Sequence, residues 1–139
     1  MKKLIYMDNA ATTPVKSEVL EEMLPYFSEM YGNPSSIYSL GSHSKVAVEE
    51  AREKIGKAIG ANPKEIFFTA GGSEADNWAL KGIAYRNRDK GNHIITTKIE
   101  HHGVLHTCEY LEKQGFEVTY LDVDEYGIID LNQLKKSIT

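Results

Sequence analysis

One cysteine, Cys108, stands alone in 139 residues, so no internal disulfide framework is possible, and the usage fits a reducing compartment, the cytoplasm. No apolar run approaches the roughly 18–20 residues that a membrane helix needs. The opening Met1-Lys2-Lys3-Leu4-Ile5-Tyr6-Met7-Asp8 meets an acid before a signal-length apolar core can form. Basic residues are outnumbered, 16 to 20, giving a net charge of −4, and they form no stripe. This argues against nucleic acid or another polyanion as partner. Neither a G-x-G-x-x-G nor a G-x-x-x-x-G-K-[ST] pattern occurs, so a dinucleotide fingerprint and a P-loop are both unsupported.

What is present reads as alternating helices and strands. A helix is expected over 17–31, where Leu20, Met23, Leu24, Phe27, Met30 and Tyr31 fall three and four apart on one face. Pro25 should bend or divide it near Leu24, and Gly32 should end it. After the turn cluster Gly32-Asn33-Pro34-Ser35-Ser36, a second helix is expected over 44–59, with Ala47, Ala51, Ile55, Ala58 and Ile59 inward and Gly60 as its stop. Further on, strands are expected at 66–68, 93–97 and 116–121. Between and after them come helices over 73–87, with Ala75, Leu80, Ile83 and Ala84 toward the sheet, over 104–114, and after Asp130. Strands separated by helices of this length imply a parallel sheet, with ligands beyond the carboxyl ends of the strands. The final helix starts with good capping and then stops without glycine, proline or a following strand, which reads as a cut.

The stretch that organises the chain is Phe67-Phe68-Thr69-Ala70-Gly71-Gly72-Ser73-Glu74-Ala75-Asp76-Asn77. It reads as a buried strand, a glycine turn and a helix start. Gly71-Gly72 allows positive φ and close approach of the backbone to a ligand, and Ser73 can cap the helix. Free N–H groups there suit a phosphate. The same residues also fit an ordinary, well-capped strand-to-helix turn. Without a lysine to grip terminal phosphates, a monophosphate on a larger cofactor suits the turn best. Glu100-His101-His102-Gly103 follows another strand end, which places it on the same rim. An imidazole at His101 can stack on a flat ring or hold a proton near neutral pH. His102 and His106, four apart, could share a helix face as two metal ligands, but no third ligand accompanies them, and no metal site is assigned. Cys108 falls on an inward helix face, where a thiol behaves as a small hydrophobe.

These residues resemble a known family. Tyr6-Met7-Asp8-Asn9-Ala10-Ala11-Thr12-Thr13-Pro14 is similar to the N-terminal signature of cysteine desulfurases in the class V aminotransferase group. Gly32-Asn33-Pro34-Ser35-Ser36 resembles its next turn, Phe68 to Asn77 its pyridoxal-phosphate turn, and Glu100-His101-His102-Gly103-Val104-Leu105 its ring-stacking segment. The resemblance implies an α/β fold, the N-terminal part of the large domain of fold type I pyridoxal-phosphate (PLP) enzymes. That domain is a mostly parallel sheet with flanking helices, here incomplete at the C-terminus. It implies an arm over 1–14 on the substrate-entrance side and the first half of the PLP-binding domain over 15–139. The implied activity removes sulfur from L-cysteine, releasing L-alanine and leaving an enzyme persulfide for iron–sulfur cluster and thio-cofactor assembly. The implied partners are a second copy in a homodimer and a sulfur-acceptor or scaffold protein, with no nucleic acid and no membrane.

Carried over by position, Gly72 and Ser73 would hold the PLP phosphate, and His101 would stack on the ring and assist proton transfer. Asn9, Ala10 and Ala11 are weaker candidates for substrate contact. Ser73 stands where threonine is usual, Tyr38 where histidine is usual, and Gly103 where alanine is usual. The Schiff-base lysine, the aspartate that pairs with the pyridine nitrogen and the persulfide cysteine belong to later parts of such proteins. Lys98 and Cys108 match neither role by position. The chain alone is therefore expected to be inactive, and to need a complementary chain, self-associate or fold poorly. Alternative readings are another class V enzyme, a selenocysteine lyase or an aminotransferase, or a non-catalytic assembly module that keeps this fold segment.

Overall fold

Pro25 divides the first expected helix into α1, Ser17–Met23, and α2, Pro25–Ser28. Proline lacks an N–H and fixes φ, so it takes the first position of a new helix more easily than the interior of an old one. The computed structural model describes residues 4–139, so the first three residues of the expected arm lie outside the described residues. The described chain divides between Phe67 and Phe68 into two units.

In the first unit, Leu4 to Met7 join no strand, and residues 9–11 form a turn closed by the Ala11 amide donating to the Asp8 carbonyl at 3.1 Å. The α2 helix ends at Ser28, before Gly32, and leaves Phe27 72% exposed. Helix α3, Ser39–Ile59, starts five residues earlier than its sequence pattern suggests. Its N-terminal turn folds back on the Gly32 loop, where a Cβ on Gly32 would lie 2.2 Å from the Leu40 carbonyl oxygen. Only glycine fits that approach. The Ser44 hydroxyl, buried, donates to the Met30 carbonyl at 3.0 Å. At the other end Gly60 caps α3 with φ +72°, as expected of a helix stop. The expected inward face is corrected at Ile55, Ala58 and Ile59, which are exposed. Gly41, Ser44 and Gly56 are the buried positions of α3 instead. The helix meets its own turns through small residues. Gly56 lies against Ala61 and the 3-10 turn Pro63–Glu65, which carries a capping box between Asn62 and Glu65.

The second unit holds α4, Gly72–Arg86, β1, His93–Thr97, α5, His102–Lys113, β2, Glu117–Leu121, and α6, Leu131–Ser137. The two strands run parallel, in register from His93 with Glu117 to Thr97 with Leu121. The α5 crossover between them follows the expected β-α-β order. The expected strand at 66–68 is corrected: that segment spans the boundary of the units and lies outside this two-stranded sheet. A strand is defined by its ladder, and an apolar run by itself does not specify one.

Leu111 and Cys108 are fully buried, and Ala84, Leu111 and Phe116 form the core cluster, with Ile94 packed against it. Tyr85 meets the Phe116 ring edge-on at 5.7 Å. Two of the residues expected to face the sheet from α4 are exposed, Ala75 and Ile83. Helix α4 packs along α5, and only Ala84 among its residues is buried there. After β2 the Asp124 carboxylate accepts from the Tyr126 and Ile128 amides, and the Asp130 carboxylate caps α6 through the Asn132 amide at 2.8 Å. Among the described residues no helix is long and apolar enough to cross a membrane.

Candidate active site

Helix α4 begins without a side-chain cap. Its N-cap is Gly71, in extended backbone at φ 167°, and neither Gly71 nor Gly72 adopts the left-handed conformation. Two expectations are corrected here. The glycines do not serve a left-handed turn, and Ser73, already inside the helix, does not cap it. A Cβ built on Gly71 or Gly72 would meet nothing within 4 Å, so neither backbone strain nor packing demands glycine. What the glycines leave is bare backbone with open space above it, at a helix end whose first N–H groups have no intrahelical partner. Around this turn the Thr69 hydroxyl donates to the Gly71 carbonyl at 3.2 Å, and the Glu74 carboxylate accepts from the Ala70 amide at 2.6 Å. The Ser73 hydroxyl is exposed.

Helix α5 starts beside it. His101 is its N-cap, and Nδ1 of the imidazole accepts from the Gly103 amide at 3.0 Å. A Cβ on Gly103 would lie 3.2 Å from His101 Nδ1, 3.3 Å from Asp76 Oδ2 and 3.4 Å from Ser73 Oγ. The N-terminal turns of α4 and α5 therefore converge on one point. Two positive helix ends favour an anion there, with the Asp76 carboxylate as the opposing charge.

Ser73 and His101 line one open groove of about 440 Å³, with Asn77, Lys81, His102, His106, Thr107 and Tyr110. Gly72 is outside this lining. Sequence reasoning missed Asn77, Lys81, Thr107 and Tyr110, although the spacing carried a signal: 73, 77 and 81 on α4 and 102, 106 and 110 on α5 each step by four along one helix face. Lys81 Nζ lies 4.5 Å over the Tyr110 ring, and the Thr107 hydroxyl, buried, donates to the Gly103 carbonyl at 2.7 Å. The His102 and His106 rings are 5.3 Å apart, and among the described residues no group of three or more His, Cys, Asp or Glu is placed to hold a metal ion.

The remaining candidates are not among the residues that line this groove. Asn9, Ala10 and Ala11 form an exposed turn in the first unit. Tyr38 is the N-cap of α3 and makes no side-chain cap there. Lys98 pairs with Asp122 at 2.5 Å, and that contact holds the Asp122 carboxyl below its usual range. Cys108 is buried on the inner face of α5. Burial, with the carboxylates of Glu112 and Glu100 behind it, pushes its thiol up, which suppresses the nucleophilic thiolate.

A parallel β-α-β unit with flanking helices, and two helix N-termini converging beside a histidine, places the chain among α/β proteins, and comparison gives the class its family. Residues 5–139 match the family described as Aminotransferase class-V, and the chain belongs to it. It is 63% identical to the cysteine desulfurase IscS of Clostridium botulinum over all 139 residues, and 62% identical to that of Methanosarcina thermophila over 136. Among solved structures, a NifS-like protein superposes with a TM-score of 0.92 at 45% identity, covering 96% of this chain and 37% of that one. SspA in complex with cysteine gives 0.89 at 43% identity, over 96% of this chain and 39% of its own. The expected fold class, an α/β arrangement with a parallel sheet and flanking helices, holds. The chain spans about 35% of the length of the C. botulinum relative.

Proposed function

We propose that the chain is the cofactor-side portion of a PLP-dependent cysteine desulfurase, acting on L-cysteine. The observation that carries this reading is the shared groove, in which Ser73 on the uncapped first turn of α4 meets His101 at the start of α5. The 63% identity to cysteine desulfurases supports it.

The residues present fit a phosphorylated, flat cofactor. The amides of Gly72 and Ser73 and the Ser73 hydroxyl would hold the phosphate, since they combine free donors with unobstructed space. His101 would lay its ring on the cofactor's pyridine. PLP supplies the electron sink for bond cleavage at the substrate α-carbon. Lys98, at the end of β1 and paired with Asp122, and Cys108, fully buried, would have no part in that chemistry, and the chain alone would be inactive toward L-cysteine. Asn9, Ala10 and Ala11 would contact substrate, and residues 1–14 would form an arm beside a PLP-binding domain that starts at 15. A second copy and a sulfur-accepting protein in the cytoplasm complete the proposal.

The test uses 4-deoxypyridoxine 5′-phosphate, which has no aldehyde and so cannot react with surface lysines. Isothermal titration of the chain should show binding that weakens at least about fivefold in Ser73→Ala, the loss of roughly one charge-assisted hydrogen bond. Dephosphorylated 4-deoxypyridoxine should bind far more weakly. Equal affinity with and without the phosphate overturns the reading.

A further inference from the structure

The imidazole of His101 caps α5, with Nδ1 held 3.0 Å from the Gly103 backbone nitrogen. An amide N–H can only donate, so Nδ1 must present its lone pair, and the proton of the neutral ring then sits on Nε2. We infer that the first turn of α5 locks His101 in the Nε2–H tautomer, with Gly103 as the positioning residue. The opposite tautomer would set two donors against each other and strip α5 of its side-chain cap. The Asp76 carboxylate is the competitor. The point where a Gly103 Cβ would sit is 3.3 Å from its Oδ2 and 3.2 Å from Nδ1. A carboxylate in that position could instead draw the ring proton to Nδ1. The hydrogen bond actually made is the amide's.

The lock restricts what His101 can do. In the neutral ring, Nε2 donates a hydrogen bond and has no lone pair with which to take a proton. A base at Nε2 requires the cap to break first. This consequence for catalysis rests on the cysteine desulfurase reading above. The tautomer does not, because the contact lies within the chain itself.

The experiment is long-range ¹H–¹⁵N correlation of the ¹⁵N-labelled chain without any ligand. The five histidines are told apart by comparison with His101→Asn. An unconstrained histidine mixes both tautomers with Nε2–H in the majority, so the comparison is with the same chain in urea. His101 in the folded chain should show its Nδ1–H population reduced about fivefold relative to urea, the ratio expected of one net hydrogen bond. Gly103→Pro removes the donor at a helical position that tolerates proline and should restore the mixture. Gly103→Ala adds the same Cβ but keeps the N–H, and should retain the single tautomer. Asp76→Asn should also leave the tautomer unchanged. A His101 spectrum identical in the folded and unfolded chain, or a Nδ1–H form that depends on Asp76, overturns the inference. If Gly103→Pro does not fold, the comparison of folded and urea-treated chain decides by itself.

Discussion

At the scale of single residues, the second unit depends on a few side chains that exclude water completely. Leu111 has no exposed surface and touches Ala84 and Phe116. Leu111→Ala should destabilise the chain by about 2–5 kcal/mol, through lost transfer free energy and the cavity left behind. The urea midpoint measures it. Tyr120 gives a different handle. Its hydroxyl donates to Glu112 Oε2 at 3.1 Å, and burial, followed by that hydrogen bond and the carboxylate's charge, pushes its pKa up to about 12. An unfolded tyrosine titrates near 10. Between those values the folded chain keeps a proton that the unfolded chain releases. The stabilisation is whole below about pH 10 and disappears as pH rises through about 12. In Tyr120→Phe the alkaline fall in urea midpoint should be shallower than in the parent. The Tyr85 hydroxyl, raised first by its hydrogen bond to Tyr110, keeps part of the slope.

At the scale of elements, local backbone chemistry was legible and the identity of covering partners was not. Pro25 announced the break between α1 and α2, and Gly60 announced the end of α3, because both act on their own stretch of chain. Gly60→Ala tests the second. No atom lies within 4 Å of the added methyl, so the cost is conformational alone, about 1–2 kcal/mol for a left-handed L-residue. The α3 helix should remain by circular dichroism, with a lower melting midpoint. Ile55, Ile59, Ile83 and the 66–68 run misled for a shared reason. Their hydrophobicity states that something should cover them, and sequence periodicity carries no record of what. The site shows the same division. Ser73 and His101 do line one groove, but only His101 follows a strand of the sheet, so the strand-end argument held for one of the two. The groove's other walls needed the α4–α5 packing, and the tautomer of His101 needed the position of the Gly103 amide.

At the scale of the whole molecule, apolar side chains face solvent in quantity. Met7 is 86% exposed, Ile37 fully so, and Trp78 54%. Single exposed hydrophobes are ordinary, but contiguous apolar surface draws partners or promotes association. The chain is expected to enhance ANS fluorescence without denaturant and to increase in sedimentation coefficient with concentration. A single monomeric species at every concentration, with no dye response, would contradict this.

The parallel register of β1 and β2 also governs the order of events in folding. His93 cannot meet Glu117 until the whole of α5 has been gathered between them, so the ladder closes late, against loop entropy. The helix that caps itself with His101 lies in the loop that this ladder has to close, as well as beside the groove. The turn that aims the His101 imidazole therefore sits inside the segment whose ordering the β1–β2 ladder must await.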